Sequence, residues 1–353
     1  MNKANTPNIP HTMKTVAYQQ SLAIDHPSAL IDAELTTPAP VGRDLLVEVA
    51  AIAVNPVDYK IRQMVAPEDG EYKVLGWDAL GRVVAKAEDS TEFEIGELVF
   101  YAGDLNRQGS NAQYHLVDER IVAKAPKHIP AEHAAALPLT SITAWELAFE
   151  KLGIAMKTDT NNQNEVVLVT AAAGGVGSIL IQLLKQLSNA TVIATASRPE
   201  SKQWLSEIGA DHIIDHSQAL GPQINQLNLE VTHIASLSHT EQYFEQFVEL
   251  LKPFGRIALI DDPTNLDFTL LKPKSLSLCY EFMFSRSMFE TEDMAEQGKI
   301  LSKVAELIDQ KAIRSTLGKN LGCINASNLI EAHRILESGA SIGKLVLSGF
   351  NDQ

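Results

Sequence analysis

Residues 166–178 (Val-Val-Leu-Val-Thr-Ala-Ala-Ala-Gly-Gly-Val-Gly-Ser) run directly into an apolar helical stretch at 179–187. An apolar, β-rich run that meets a glycine turn opening at once into a helix brings a pyrophosphate onto a helix N-terminus. Set against the dinucleotide fingerprint, Ala172, Gly174 and Gly177 occupy its three positions, with alanine in place of the first glycine. Gly174 lets the backbone approach phosphate and Gly177 lets helix and strand pack closely. Ala173, Gly174, Gly175, Val176 and Gly177 are therefore the candidate cofactor turn, against the plainer reading of an ordinary tight strand-to-helix turn.

At 353 residues the chain has room for two domains, each able to bury a core. Lys and Arg number 29 and Asp and Glu 44, a formal charge of −15, which opposes nonspecific binding to nucleic acid or an anionic membrane surface. Any anionic cofactor then needs a local basic site. The two cysteines, Cys279 and Cys323, can build neither a disulfide framework nor a multi-cysteine zinc site, which fits a cytoplasmic protein. Residues 1–13 are polar and read as a loose tail, with Met13 an alternative start, and no run has the ~18 apolar residues of a membrane helix.

From residue 14 to about 113 the pattern is one of short strands (15–18, 44–50, 81–85 and 97–101) punctuated by Pro and Gly, which predicts a largely antiparallel β domain. Between them lies the polar segment 55–62, where Pro56 starts a turn or short helix. A helical pattern begins near residue 137, and a polar loop at 159–164 precedes the fingerprint strand. Strands at 191–195, 211–215, 231–236 and 255–260 then alternate with helices at 199–208 and 240–251. That alternation predicts a parallel sheet covered on both faces. Residues 275–283 read as a sixth strand and 293–309 as an amphipathic helix, and the β-like end at 341–347 rejoins the first domain.

Five segments together carry a family resemblance: Asn-Pro-Val-Asp-Tyr-Lys at 55–60, Gly-Trp-Asp-Ala-Leu-Gly at 76–81, Leu-Pro-Leu-Thr-Ser-Ile-Thr-Ala at 137–144, the glycine turn, and Gly-Lys-Leu-Val-Leu at 343–347. From Lys14 onward the chain resembles the medium-chain dehydrogenase/reductase superfamily, in its zinc-independent quinone oxidoreductase branch. The resemblance implies an α/β protein in which a GroES-like β domain (14–138 and 311–353) is split around an inserted Rossmann domain with a doubly wound parallel sheet (139–310, including the connecting helix). Zinc relatives carry Cys in the first loop, a Gly-His-Glu element, and often a four-cysteine lobe. Here those places hold Asn55 and Gly76-Trp77-Asp78, and 101–114 has no cysteine, so no metal is expected. His115, His128 and His133 lie near strand ends and a helix start, where surface or capping roles are expected.

An NAD enzyme places an acid about 20 residues beyond the glycines to bind the ribose. Here Ser197 and Arg198 stand there, a hydroxyl and a guanidinium suited to a 2′-phosphate, so the expected cofactor is NADPH. Lys202 adds charge, and His216 falls where relatives place a residue against phosphate or adenine. Ser197-Arg198-Pro199 reads equally as a capped helix start.

The nicotinamide carries the hydride, and the expected acceptor is a quinone or an α,β-unsaturated carbonyl. By resemblance, Asn55 polarises the acceptor carbonyl and Tyr59 and Lys60 donate the proton. Thr140, Gly343 and Lys344 contact cofactor, and Asp58, Trp77, Phe282 and Phe284 shape the acceptor pocket. Asp58 reads equally as a structural hydrogen bond, Lys344 as a solvated edge-strand charge, and Phe282 and Phe284 as subunit contact or core. The resemblance further implies a homodimer formed through the strand at 275–283. An enoyl-thioester reductase and an NADPH binder of low turnover are the alternatives.

Overall fold

Apolar alternation shapes one part of the chain and unbroken apolar strands the other, so the computed structural model divides into two units. It describes residues 9–158 and 164–350. One unit comprises Met1–Leu139 and Phe284–Gln353, the other Thr140–Met283.

In chain order the first unit contains β1 (Thr12–Tyr18), β2 (Ile31–Thr36), β3 (Asp44–Val54), α1 (Pro56–Met64), β4 (Lys73–Val74), β5 (Ala79–Lys86), β6 (Leu98–Tyr101), β7 (Tyr114–Asp118), β8 (Val122–Lys124) and α2 (Ala131–Ala135). β1 is the centre of a small sheet ordered β2-β1-β4. Met13 pairs with Leu35 in that sheet and is buried with Ala17, Val74 and Ala112, so the loose tail expected through residue 13 has already become strand at Thr12. Residues 1–8 of that tail lie outside the described residues, as do 159–163 of the polar loop. β3 anchors the larger sheet, pairing antiparallel with β5 and β7. Pro56 opens α1, where its missing N–H costs nothing.

The chain continues into α3 (Pro138–Trp145), a π turn at Glu146–Lys151, β9 (Val166–Val169), α4 (Gly175–Leu187), β10 (Thr191–Thr195), α5 (Pro199–Glu207), β11 (His212–Ile214), α6 (Leu220–Leu227), β12 (Val231–Ser236), α7 (Thr240–Leu250), β13 (Leu251–Leu259) and β14 (Ser277–Tyr280). These strands form one sheet, ordered β11-β10-β9-β12-β13-β14, and every pair is parallel. The central strands are buried on both faces, as a parallel sheet under helices requires. Leu168, Ile193, Ile234 and Ile257 from the sheet meet Leu220 and Ile224 of α6 and Phe244 and Phe247 of α7 in one core. The strand order reverses direction of growth at β9, whose C-terminal end carries the glycine turn.

Back in the first unit, α8 (Ser285–Met288) and α9 (Glu296–Asp309) precede β15 (Leu317–Asn320), α10 (Ala326–Glu337) and β16 (Lys344–Ser348). The sequence grouped the helix before residue 310 with the dinucleotide domain. Instead α9 packs on β8 and the turn before it, burying Ile300, Leu301, Val304 and Ile308. β16 lies between β15 and β3 and is therefore an interior strand, not an edge. Among the described residues no helix is long and apolar enough to cross a membrane.

Candidate functional site

In the second unit the fingerprint folds as its spacing demands. The left-handed turn falls on Ala171, at φ 46°, one residue before the position read as the first glycine, while Ala172 is fully buried. A Cβ at Gly177 would overlap the Ala172 backbone, so only glycine permits this closeness of turn and helix. Gly174 is the N-cap of α4, and no side chain among the described residues caps it. Gly174, Gly175 and Val176 are half-exposed at that start, whereas Ala173 is buried. Uncapped N–H groups and the positive end of a 13-residue helix suit a pyrophosphate, so these residues fit a dinucleotide. Ser178, which the fingerprint does not single out, accepts from Trp204 Nε1 at 2.8 Å and so ties α4 to α5.

Ser197 is half-exposed just beyond β10, and Arg198 is exposed as the N-cap residue of α5. Lys202, one turn on, bonds the Arg198 carbonyl through its backbone N–H and pairs through Nζ with Asp215 Oδ2 at 3.2 Å. The Ser217 hydroxyl and N–H, and then Lys202, hold the Asp215 carboxyl down at about 2. The charge assigned to Lys202 thus already faces a carboxylate, which sequence spacing did not reveal. His216 is exposed next to that acid, and Thr140 is buried in the first turn of α3. Phe282, 48 % exposed, follows the edge strand β14.

In the first unit, four polar side chains from three distant segments come together. The Asn55 N–H donates to Asp58 Oδ2 at 2.7 Å across the first turn of α1. Asn55 Nδ2 donates to Asp78 Oδ2 at 2.8 Å, and the Leu139 N–H donates to Asp78 Oδ1 at 2.7 Å. Lys344, at the start of β16 and 3 % exposed, donates to Asp78 Oδ2 at 2.8 Å, to Val54 O at 3.1 Å and to Asn55 Oδ1. Gly343 delivers it there from a left-handed turn, φ 62°, in which a Cβ would overlap the Thr316 carbonyl. The expected solvated or cofactor-facing lysine is instead a buried ion-pair partner, because β16 is interior.

Asn55, expected to polarise an acceptor, is 1 % exposed with its amide committed to Asp78 and Lys344. Tyr59 and Lys60, by contrast, are half-exposed on α1. Trp77 is core rather than pocket wall: it is 1 % exposed, donates to Asp104 O at 3.1 Å, and meets buried Phe284 edge-on at 6.3 Å. His115 is also buried, against the surface role expected of it. Burial pushes it down to about 4, so its neutral ring donates from Nε2 to Gln108 O and accepts at Nδ1 from the Tyr101 hydroxyl. His128 is exposed and His133 half-buried in α2.

Burial pushes Asp58 up to about 7, against the opposing pull of the Asn55 N–H, of Lys344 and of the Gly76 N–H. Burial also raises Asp78, with Lys344 the main restraint. A carboxyl raised in the folded state holds a proton the unfolded chain has released, so its contribution to stability falls as pH climbs from about 4 to about 7 and is flat above. Urea unfolding should therefore show the wild type losing roughly 2 kcal/mol relative to Asp58→Asn between about pH 5 and pH 7. A difference that does not move with pH means Asp58 is ionised throughout.

Zinc, which the family names below imply, does not fit here. The cluster offers carboxylate and amide oxygens with an ammonium among them, no thiolate or imidazole, and among the described residues no three His, Cys, Asp or Glu are placed to hold a metal.

Residues 42–127 match the alcohol dehydrogenase GroES-like domain and residues 175–297 the zinc-binding dehydrogenase family. A zinc-type alcohol dehydrogenase-like protein of Staphylococcus epidermidis is 38 % identical over 95 % of this chain and 99 % of its own length. A crystal structure from Rhizobium etli CFN 42, described provisionally as a zinc-dependent alcohol dehydrogenase protein, is 46 % identical over 97 % of this chain and 99 % of that one, with a TM-score of 0.93. The 2-methylene-furan-3-one reductase of Solanum lycopersicum is 32 % identical over 60 % of this chain and 54 % of its own length.

Proposed function

This chain belongs to the medium-chain dehydrogenase/reductase superfamily of oxidoreductases, and we propose that it reduces a quinone or an α,β-unsaturated carbonyl with NADPH and without a catalytic metal. The observation that carries this reading is the Lys344 ammonium seated between Asn55 and Asp78. Oxidation of a saturated alcohol calls for a Lewis acid on its oxygen, whereas a conjugated acceptor is electrophilic already. The similarity to a 2-methylene-furan-3-one reductase supports the same choice.

When bound, the nicotinamide supplies the hydride. The uncapped start of α4, at Gly174 to Gly177, would hold the pyrophosphate, and Ser197 and Arg198 the 2′-phosphate, with Lys202 shared with Asp215. Thr140, in the same unit, adds a hydroxyl to the cofactor contacts. As hydride reaches the acceptor, charge develops on its oxygen and needs a donor. Tyr59 and Lys60, half-exposed on α1, fill that role, while Asn55 and Asp58 fix the start of the helix that carries them. Phe282 contributes apolar surface. We also assign a homodimer in the cytoplasm, paired through the open edge of β14, where Tyr280 is 54 % exposed.

The test is NADPH oxidation against quinones, short enones, 2-alkenals, enoyl thioesters and saturated ketones, with and without a chelator. Turnover is expected on quinones or enones and unchanged by the chelator. Chelator-sensitive activity confined to saturated alcohols and ketones refutes the reading, as does tight NADPH binding with no turnover on any acceptor.

A further inference from the structure

The ammonium of Lys344 has three hydrogens and three oxygens about it: Val54 O, Asn55 Oδ1 and Asp78 Oδ2. An ammonium has no lone pair and only three donors, so the protein itself uses all of its hydrogen-bonding capacity. Its side chain is 3 % exposed and that of Asp78 fully buried. Three oxygens, one of them a carboxylate's, around a buried point of positive charge are also what a hard cation asks of its ligands. We propose that Lys344 is the resident cation of this pocket, a tethered ammonium that takes the position a metal ion would need and holds Asn55 and Asp78 around itself.

The arrangement of Asn55 follows from that cation. With Oδ1 toward Nζ and Nδ2 toward Asp78, each pole of the amide meets its opposite. A flipped amide would set its hydrogens against the ammonium and its oxygen against the carboxylate. Lys344 thus acts as a positioning residue: it fixes Asn55, whose backbone N–H in turn holds Asp58 at the first turn of α1. The name shared by the relatives implies zinc, but soft or borderline ligands are absent from the cluster and its centre is taken by a group the chain supplies. Nothing in this depends on which acceptor the protein reduces.

Lys344→Ala deletes Cγ, Cδ, Cε and Nζ, a void with the shape of propylammonium. The variant should melt lower by about 10 °C, as expected when a buried ion pair loses one partner. Added n-propylammonium chloride should restore most of that loss with saturable dependence, and n-propanol or sodium chloride at equal concentration should not. Combining Lys344→Ala with Asp78→Asn should abolish the rescue. Equal rescue by propanol, or none by propylammonium, overturns the proposal.

If the alanine variant does not fold, Lys344→Met keeps the length of the stem and reads the same charge. The charged groups facing Asp78 are Lys344 from β16 and Asp58 from α1. With the ammonium gone, Asp78 should be pushed further up, so the variant should lose stability relative to wild type as pH rises from about 5 to about 8. A difference independent of pH overturns the proposal. The wild-type chain, titrated with Zn²⁺ and Co²⁺, should take up neither stoichiometrically; one tightly held divalent ion per chain with Lys344 intact overturns it as well.

Discussion

Arg62→Ala should cost roughly 3 to 5 kcal/mol of stability, because it strands buried acceptors and opens a cavity where a fully buried side chain stood. Arg62 is fully buried on α1, yet all three of its nitrogens are used. Nε donates to His333 Nδ1 at 3.3 Å, Nη1 to Leu22 O and Nη2 to Glu337 Oε1, so one side chain fastens α1 to α10 and to the loop before β2. His333 is pushed down to about 3, chiefly by burial and then by the guanidinium, and therefore serves as a neutral acceptor. Alanine would leave a carbonyl and an imidazole without their donor, and a cavity besides. Thermal unfolding should shift down by about 6 to 20 °C, at roughly 2 to 4 °C per kcal/mol. Arg62→Lys should recover only part of this, because one ammonium cannot span three acceptors set in a fork. A shift of a degree or less would mean that water replaces the guanidinium at this position.

Arg198→Ala should raise the Michaelis constant for NADPH roughly 10- to 100-fold and leave that for NADH nearly unchanged. A hydrogen bond to a charged group is worth about 1.5 to 3 kcal/mol, or one to two decades in affinity. Arg198 stands exposed at the start of α5 beside Ser197, just past the end of β10. Lys202, one turn on, pairs with Asp215. Steady-state kinetics with both cofactors decide it: equal losses for NADPH and NADH, or a wild-type preference for NADH, would show that the end of β10 does not read the 2′-phosphate.

What could be read from sequence depended on how local the signal was. The glycine turn, the alternating strands and helices of the second unit, and Pro56 at the head of α1 all carry their cause within a few residues, and all three are seen. β2 was missed although apolar and polar residues alternate along it, because none of its six residues is fully buried and the run is short. The cluster of Asn55, Asp78 and Lys344 was named residue by residue but not as one object. Nothing near Lys344 announces that β16 will sit between two strands, and an interior position is what turns a solvated charge into a buried one. Arg62 was equally silent, since its partners at 333 and 337 lie 271 and 275 residues away. Trp77 and Phe284 gave no hint that they would pack on each other rather than on an acceptor.

The 266 residues between Asp78 and Lys344 also set a timetable. At about 5 to 20 residues per second, a ribosome delivers Lys344 roughly 13 to 53 s after Asp78. For that interval the nascent first unit holds two acids and an amide destined for a buried site, with no cation to join them, and within it every strand of the parallel sheet is made. The order of synthesis therefore favours the second unit as the first to fold. Emergence of β16, with its docking against β3, is the event that closes the first unit and settles its buried charges.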